Sequence, residues 1–185
     1  TISSLWSANM DMLGENPPLS LHDENWRIYS RHEADSPQFI AAGASVENAS
    51  LTAGCEIFGT LRDSVLGANV TIEQGAVVEN SVLMSGCTVK AGAVVRYAIL
   101  DENAVIGENA RVGEENAGPS GITVIGCGVC IAAGQTAAPG RLLQKGTVFL
   151  QTQAVLCHEL GVGHSHIAEV PRLEFDAGGC FAVLV

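Results

Sequence analysis

Cys127-x-x-Cys130 has half the spacing of a structural zinc site, with no second half to complete it. Inside a repeat the two thiols read as small packing residues. The run His158-Glu-Leu-Gly-Val-Gly-His164-Ser-His166 resembles a zinc-protease helix in composition. That chemistry needs a second histidine four residues after the first, and position 162 is Val. Two glycines also weaken any helix there, so no metal ligand set is assigned. Arg62 and Arg96 are the candidate contacts to a phosphorylated effector. They also alternate with acids in the series Glu47, Arg62, Glu79, Arg96, which favours an outward charge ladder. Each exposed pair in such a ladder contributes less than about 1 kcal/mol. Trp6 and Trp26 read as packing anchors. No catalytic residues and no cofactor site are assigned.

The elements that carry these residues follow from an internal repeat. Leu61–Val77, Val78–Val94 and Val95–Arg111 are successive copies with a period of 17, and Val46–Thr60 is a shorter copy before them. Aligned, the copies give an aliphatic first column of Val46, Leu61, Val78 and Val95. A second holds Leu51, Leu66, Leu83 and Leu100, and a third Ile57, Ile72, Val89 and Ile106. Small residues lie between: Ala49, Ser64, Ser81 and Ala98 in one column, and Ala76, Ala93 and Ala110 in another. Glycine and asparagine mark two corners, with Gly54, Asn69, Gly86 and Asn103 at one and Gly75, Gly92 and Asn109 at the next. These residues enter left-handed backbone angles most readily. Asn48, Asp63 and Asn80 supply a third corner, where Tyr97 is the exception.

Three aliphatic positions and three corners per copy describe a triangular prism of short parallel strands about 4.8 Å apart. The expected fold is all-β, a left-handed parallel β-helix of hexapeptide-type coils. The handedness follows from resemblance to hexapeptide-repeat proteins, not from the period. Cys55 and Cys87 share a column two coils apart, roughly 9–10 Å, which exceeds disulfide reach.

Composition bounds the rest. A net charge of −11 without a Lys/Arg cluster argues against nucleic acid and against an anionic membrane surface. No apolar run is long enough to span a bilayer, and the first residues lack the pattern of a signal peptide. A cytoplasmic protein is expected. The absence of an initiator Met hints at a fragment. The domain reading is 1–40 as a helix and linker, 41–140 as the β-helix, and 141–185 as an unassigned tail. Within the first, Ile2, Leu5, Trp6, Asn9 and Leu13 lie near helical spacing and predict a short amphipathic helix over Ile2–Leu13, ended by Gly14 and Pro17. The stretches 16–21 and 26–29 look extended. The period breaks at Glu114–Gly121 and resumes weakly from Ile122. Beyond about Arg141 no repeat is visible.

Two segments carry a more specific resemblance. Thr1-Ile-Ser-Ser-Leu-Trp-Ser-Ala-Asn-Met-Asp-Met-Leu13 resembles the T-I-x-S-x-W-x-A-N-M-D-L-L of the glucose-1-phosphate adenylyltransferase family. Asn16-Pro-Pro-Leu-Ser-Leu-His-Asp-Glu-Asn-Trp-Arg-Ile-Tyr29 resembles its N-P-P-L-x-L-x-D-x-N-W-x-I-Y. Gly75–Met84 is similar to the bacterial catalytic-type subunit, and the match runs to about residue 140. The resemblance implies an enzyme that makes ADP-glucose and pyrophosphate from ATP and glucose 1-phosphate for glycogen synthesis. It implies Mg2+ and ATP as needs of the full-length enzyme, none of them in this chain. It also implies a missing N-terminal nucleotidyltransferase domain as partner and a homotetramer. The glycine-rich nucleotide loop and metal-binding aspartates have no counterpart here, so the chain is expected to be inactive alone. Arginines that serve effector phosphate near the C-terminus of some members are absent from Gly121–Ile131.

Two alternatives compete. A hexapeptide-repeat acyltransferase uses a histidine general base between coils, and residues 46–131 contain no histidine. The same absence disfavours a β-helical carbonic anhydrase. The other alternative is a stand-alone structural interaction module. Surface meant for a missing domain should make the isolated chain aggregation-prone, which light scattering would reveal.

Overall fold

The computed structural model describes residues 1–14, 17–18, 36–115, 117–118 and 121–144. The chain divides into a unit Thr1–Lys145 and a unit Gly146–Val185, and the second lies outside the described residues. So do all five histidines, Trp26, the 26–29 stretch, most of 16–21, and Cys157 and Cys180.

The first unit is a parallel β-solenoid of six coils. Face A is a six-stranded sheet of Phe39–Ile40, Glu56–Ile57, Thr71–Ile72, Thr88–Val89, Val105–Ile106 and Cys130–Ile131. Faces B and C belong to a second sheet that turns a corner. Face B runs from Thr136–Ala137 through Arg111–Val112, Val94–Arg96 and Val77–Glu79 into the long strand Thr60–Leu66. Face C continues from that strand through Val82–Leu83, Ala98–Leu100, Thr123–Ile125 and Leu142–Leu143. The strand Ser45–Leu51 pairs with Thr60–Leu66 along its length. All these pairings are parallel, as a chain winding in one sense requires.

The three aliphatic columns are the core. Leu61, Val78 and Val95 point in from face B, Leu66, Leu83 and Leu100 from face C, and Ile57, Ile72, Val89 and Ile106 from face A. All are buried. Each buried aliphatic side chain contributes about 1.5–3 kcal/mol, several times an exposed ion pair, so the core rather than the surface charge holds the coils. Face C extends one strand past the last visible repeat. Leu142–Leu143 pairs with Val124–Ile125, and Leu143 is buried. An 18-residue offset in that last coil hides the strand from a search at 17.

All three corners use left-handed backbone. At the corner between faces B and C, Asn48, Asp63, Asn80 and Tyr97 have φ of 46°, 45°, 49° and 46°. Tyr97, the exception by residue type, therefore conforms in conformation, at a cost of roughly 1–3 kcal/mol for a bulky side chain there. At the corner between faces C and A, glycine and asparagine alternate for a packing reason. A Cβ at Gly54 would overlap Asn69 Oδ1, and one at Gly86 would overlap Asn103 Oδ1. Each asparagine amide fills the space its neighbouring glycine leaves. The short 15-residue copy closes its third corner through Gly59, which runs so close under Ala76 O and Glu73 O that a side chain would collide.

Helix α1 spans Ile2–Met10 and ends in a turn before Leu13, three residues earlier than the apolar spacing suggested. Thr1 caps it by accepting from Ser4 N–H at 3.2 Å. A nine-residue helix is marginal alone, so it depends on docking. It lies on the outside of face C, where Trp6 and Met10 pack on Val82, Ile99 and Ile122 together with Met84 and Val124. Among the described residues no helix is long and apolar enough to cross a membrane.

Candidate functional site

The corner between faces B and C gathers most of the chemistry-bearing side chains. Arg62 and Arg96 occupy outward positions of face B just before the left-handed residue of their coils. Strand register places Glu47, Arg62, Glu79 and Arg96 side by side on successive coils. Arg62 Nε donates to Glu47 at 3.0 Å and its Nη1 to Glu79 at 3.5 Å. Arg96 Nε donates to Glu79 at 2.7 Å and its Nη1 to Glu115 at 3.2 Å. The alternating series is thus a continuous ion-pair ladder, and Glu115 adds a rung from the interrupted segment. Lys90 and Glu73 form a separate pair at 3.2 Å.

A cleft of about 150 Å3 opens on this corner, lined by Arg62, Glu79, Asn80, Arg96, Tyr97 and Glu115. Its two cations face two carboxylates, so it offers no net positive charge to a phosphate. Arg62 is 48 % and Arg96 31 % exposed, each held between two acids.

The hydroxyls beneath the corner escaped the sequence reading, which took Ser64 and Ser81 only as small. Both are fully buried. Ser64 Oγ donates to Arg62 O at 2.7 Å and accepts from Ser81 N at 3.2 Å. Ser81 Oγ repeats this, donating to Glu79 O at 2.7 Å and accepting from Ala98 N at 3.2 Å. Each serine bridges the carbonyl two residues back across the left-handed corner. Two serines among alanines in one column were the available signal.

Trp6 meets the same corner. Its Nε1 donates to Asn80 O at 2.8 Å, and its ring stacks on Tyr97 with centroids 5.8 Å apart. This is the packing role expected of it.

The thiols are dispersed. Cys55 and Cys87 are buried, and Cys87 Sγ donates to Asp101 O at 3.1 Å. Burial pushes the Cys87 thiol up to about 11 and the Cys55 thiol upward. Neither is a nucleophile near neutrality. Cys127 lies exposed at a turn and Cys130 on the outer side of face A. Among the described residues no group of three or more His, Cys, Asp or Glu stands together as a metal site.

Comparisons with known proteins agree with this architecture. A glucose-1-phosphate adenylyltransferase of Bacillus mycoides (strain KBAB4) is 47 % identical over 78 residues, covering 42 % of this chain and 21 % of the relative. One of Fervidobacterium nodosum is 36 % identical over 113 residues, covering 61 % of this chain and 27 % of the relative. The one of Bacillus anthracis is 46 % identical over 78 residues. The matched part of this chain spans only about a fifth to a quarter of the length of these relatives. The model of the family described as GlmU-like, C-terminal hexapeptide, matches residues 37–132, which contain five of the six coils and the whole ion-pair ladder. With half its length inside that match, and its coils built as the match requires, the chain belongs to this hexapeptide family.

Proposed function

We propose that this chain is the β-solenoid module of a glucose-1-phosphate adenylyltransferase and performs no adenylyl transfer by itself. The observation that supports this reading most directly is the alignment over 113 residues with an adenylyltransferase three to four times as long. In this reading ATP, Mg2+ and glucose 1-phosphate are handled by a nucleotidyltransferase domain ahead of Thr1. The solenoid packs on that domain and helps build a homotetramer in the cytoplasm. Arg62 and Arg96 serve as ladder members, and a phosphorylated effector would have to displace Glu47 or Glu115 to reach them.

The test is to express the 185-residue chain alone and joined to the remaining part of the Bacillus mycoides relative. Pyrophosphate release from ATP and glucose 1-phosphate is then measured. The joined protein is expected to turn over and the isolated chain to be silent. Turnover by the isolated chain, or transfer of an acyl group from acyl-CoA, would overturn the assignment.

A further inference from the structure

The corner between faces B and C changes character along the solenoid. Its column reads Asn48, Asp63, Asn80, Tyr97 and then Ile122, which precedes the residue paired with Ala98. The first three are polar and the last two apolar. Both apolar residues belong to the surface that α1 covers. Trp6 stacks on Tyr97, and Trp6 and Met10 pack against the cluster that contains Ile122.

Ile122 stands there because the chain is interrupted. Face C pairs residues 17 apart from Val82 to Ile99, and 25 apart from Ile99 to Val124. The extra residues enter after Val112, and the left-handed corner is not rebuilt: Ile122 has no positive φ, which a β-branched residue resists. Both ends of the interruption are pinned. Gly113 N–H donates to Ala137 O at 3.0 Å, Glu115 pairs with Arg96, and Gly121 O accepts from Gly140 N–H at 2.9 Å. Arg96 is the neighbour of Tyr97 in sequence, so the ion pair, the aromatic stack and the Ile122 cluster abut.

We infer that α1 and the interrupted segment dock on this corner as one unit, so that the Arg96–Glu115 ion pair sets how tightly the helix is held. The helix has no buried residue and is too short to persist undocked, so release of the segment weakens it directly. The device is a strap whose clasp is a surface ion pair one residue from the tyrosine on which the helix stacks. It does not depend on the enzymatic assignment.

Hydrogen exchange of the full 185-residue chain tests this, because undocking unfolds α1 and its amides then exchange. At low salt, Glu115→Gln should speed exchange of the 1–13 peptide about two- to fivefold, the effect of losing one partly exposed pair. Ile122→Ala should speed it about tenfold or more while the amides of face A stay protected. In about 1 M salt the parent and Glu115→Gln should converge. Lys90→Gln breaks the Glu73 pair at the corner between faces A and B and should leave α1 unchanged. The inference is overturned if Glu115→Gln matches the parent at low salt, or if Lys90→Gln speeds α1 as much as Glu115→Gln does.

Discussion

Gly75 and Gly86 share a φ of +74°, yet their surroundings differ. A Cβ at Gly75 would meet only Gly92, no closer than 3.8 Å, whereas one at Gly86 would overlap Asn103 Oδ1. Alanine at Gly75 should therefore cost only the left-handed backbone, about 1 kcal/mol after the gain from a stiffer unfolded chain. Alanine at Gly86 should carry the same backbone cost plus about 1–3 kcal/mol for overpacking, because neighbouring coils cannot separate without breaking their ladder. The cycle Gly86→Ala with Asn103→Gly isolates the second part, since removing the amide removes the collision. Urea unfolding followed by far-UV circular dichroism would supply the four free energies. A coupling of about 1–3 kcal/mol is expected. Equal losses at Gly75 and Gly86, with coupling below about 0.5 kcal/mol, would refute the view that glycine alternates with asparagine to seat its amide.

Ser81→Ala should cost about 1–3 kcal/mol despite the near-identical volume, since it strands the buried Ala98 N–H that the hydroxyl accepts, and urea midpoints would register it. Arg62→Ala, at an exposed rung, should change stability by less than about 1 kcal/mol in the same measurement. The Cys87 thiol, pushed by burial from 9.0 to about 11, stays protonated in the fold while the unfolded chain ionises first. Its contribution is thus fully present below pH 9 and lost as pH climbs from 9 towards 11. Unfolding midpoints across that range should fall more steeply in the parent than in Cys87→Ala.

The coils were legible because each inward position repeats an aliphatic residue and each corner demands a residue tolerant of positive φ. The three aliphatic columns all lie where the period put them. The ladder was legible for the same reason: residues a period apart become neighbours. What stayed hidden were features that the repeat does not encode. Tyr97 adopts the corner conformation because its coil neighbours impose it and Trp6 supports it, not because tyrosine prefers it. Ser64 and Ser81 look like spacers until the carbonyls beside them are placed. Leu142–Leu143 adds a strand whose offset of 18 a fixed period skips. The cleft formed by Arg96, Tyr97 and Glu115 needs a segment that lies outside the repeat altogether.

The eight residues added after Val112 have a consequence for how such a chain can vary. They enter at a vertex, and the strands beyond them resume the same partners: Val105 pairs with Cys130, and Arg111 with Thr136. Growth at a vertex therefore leaves the threading of the interior untouched, whereas one residue added within a face would turn every later side chain inside out. The loop position is a natural grafting point. Foreign peptides of varied length placed between Gly113 and Ile122 would be displayed on the same coils, at the cost of the helix clasp and of the Gly140–Gly121 hydrogen bond they replace.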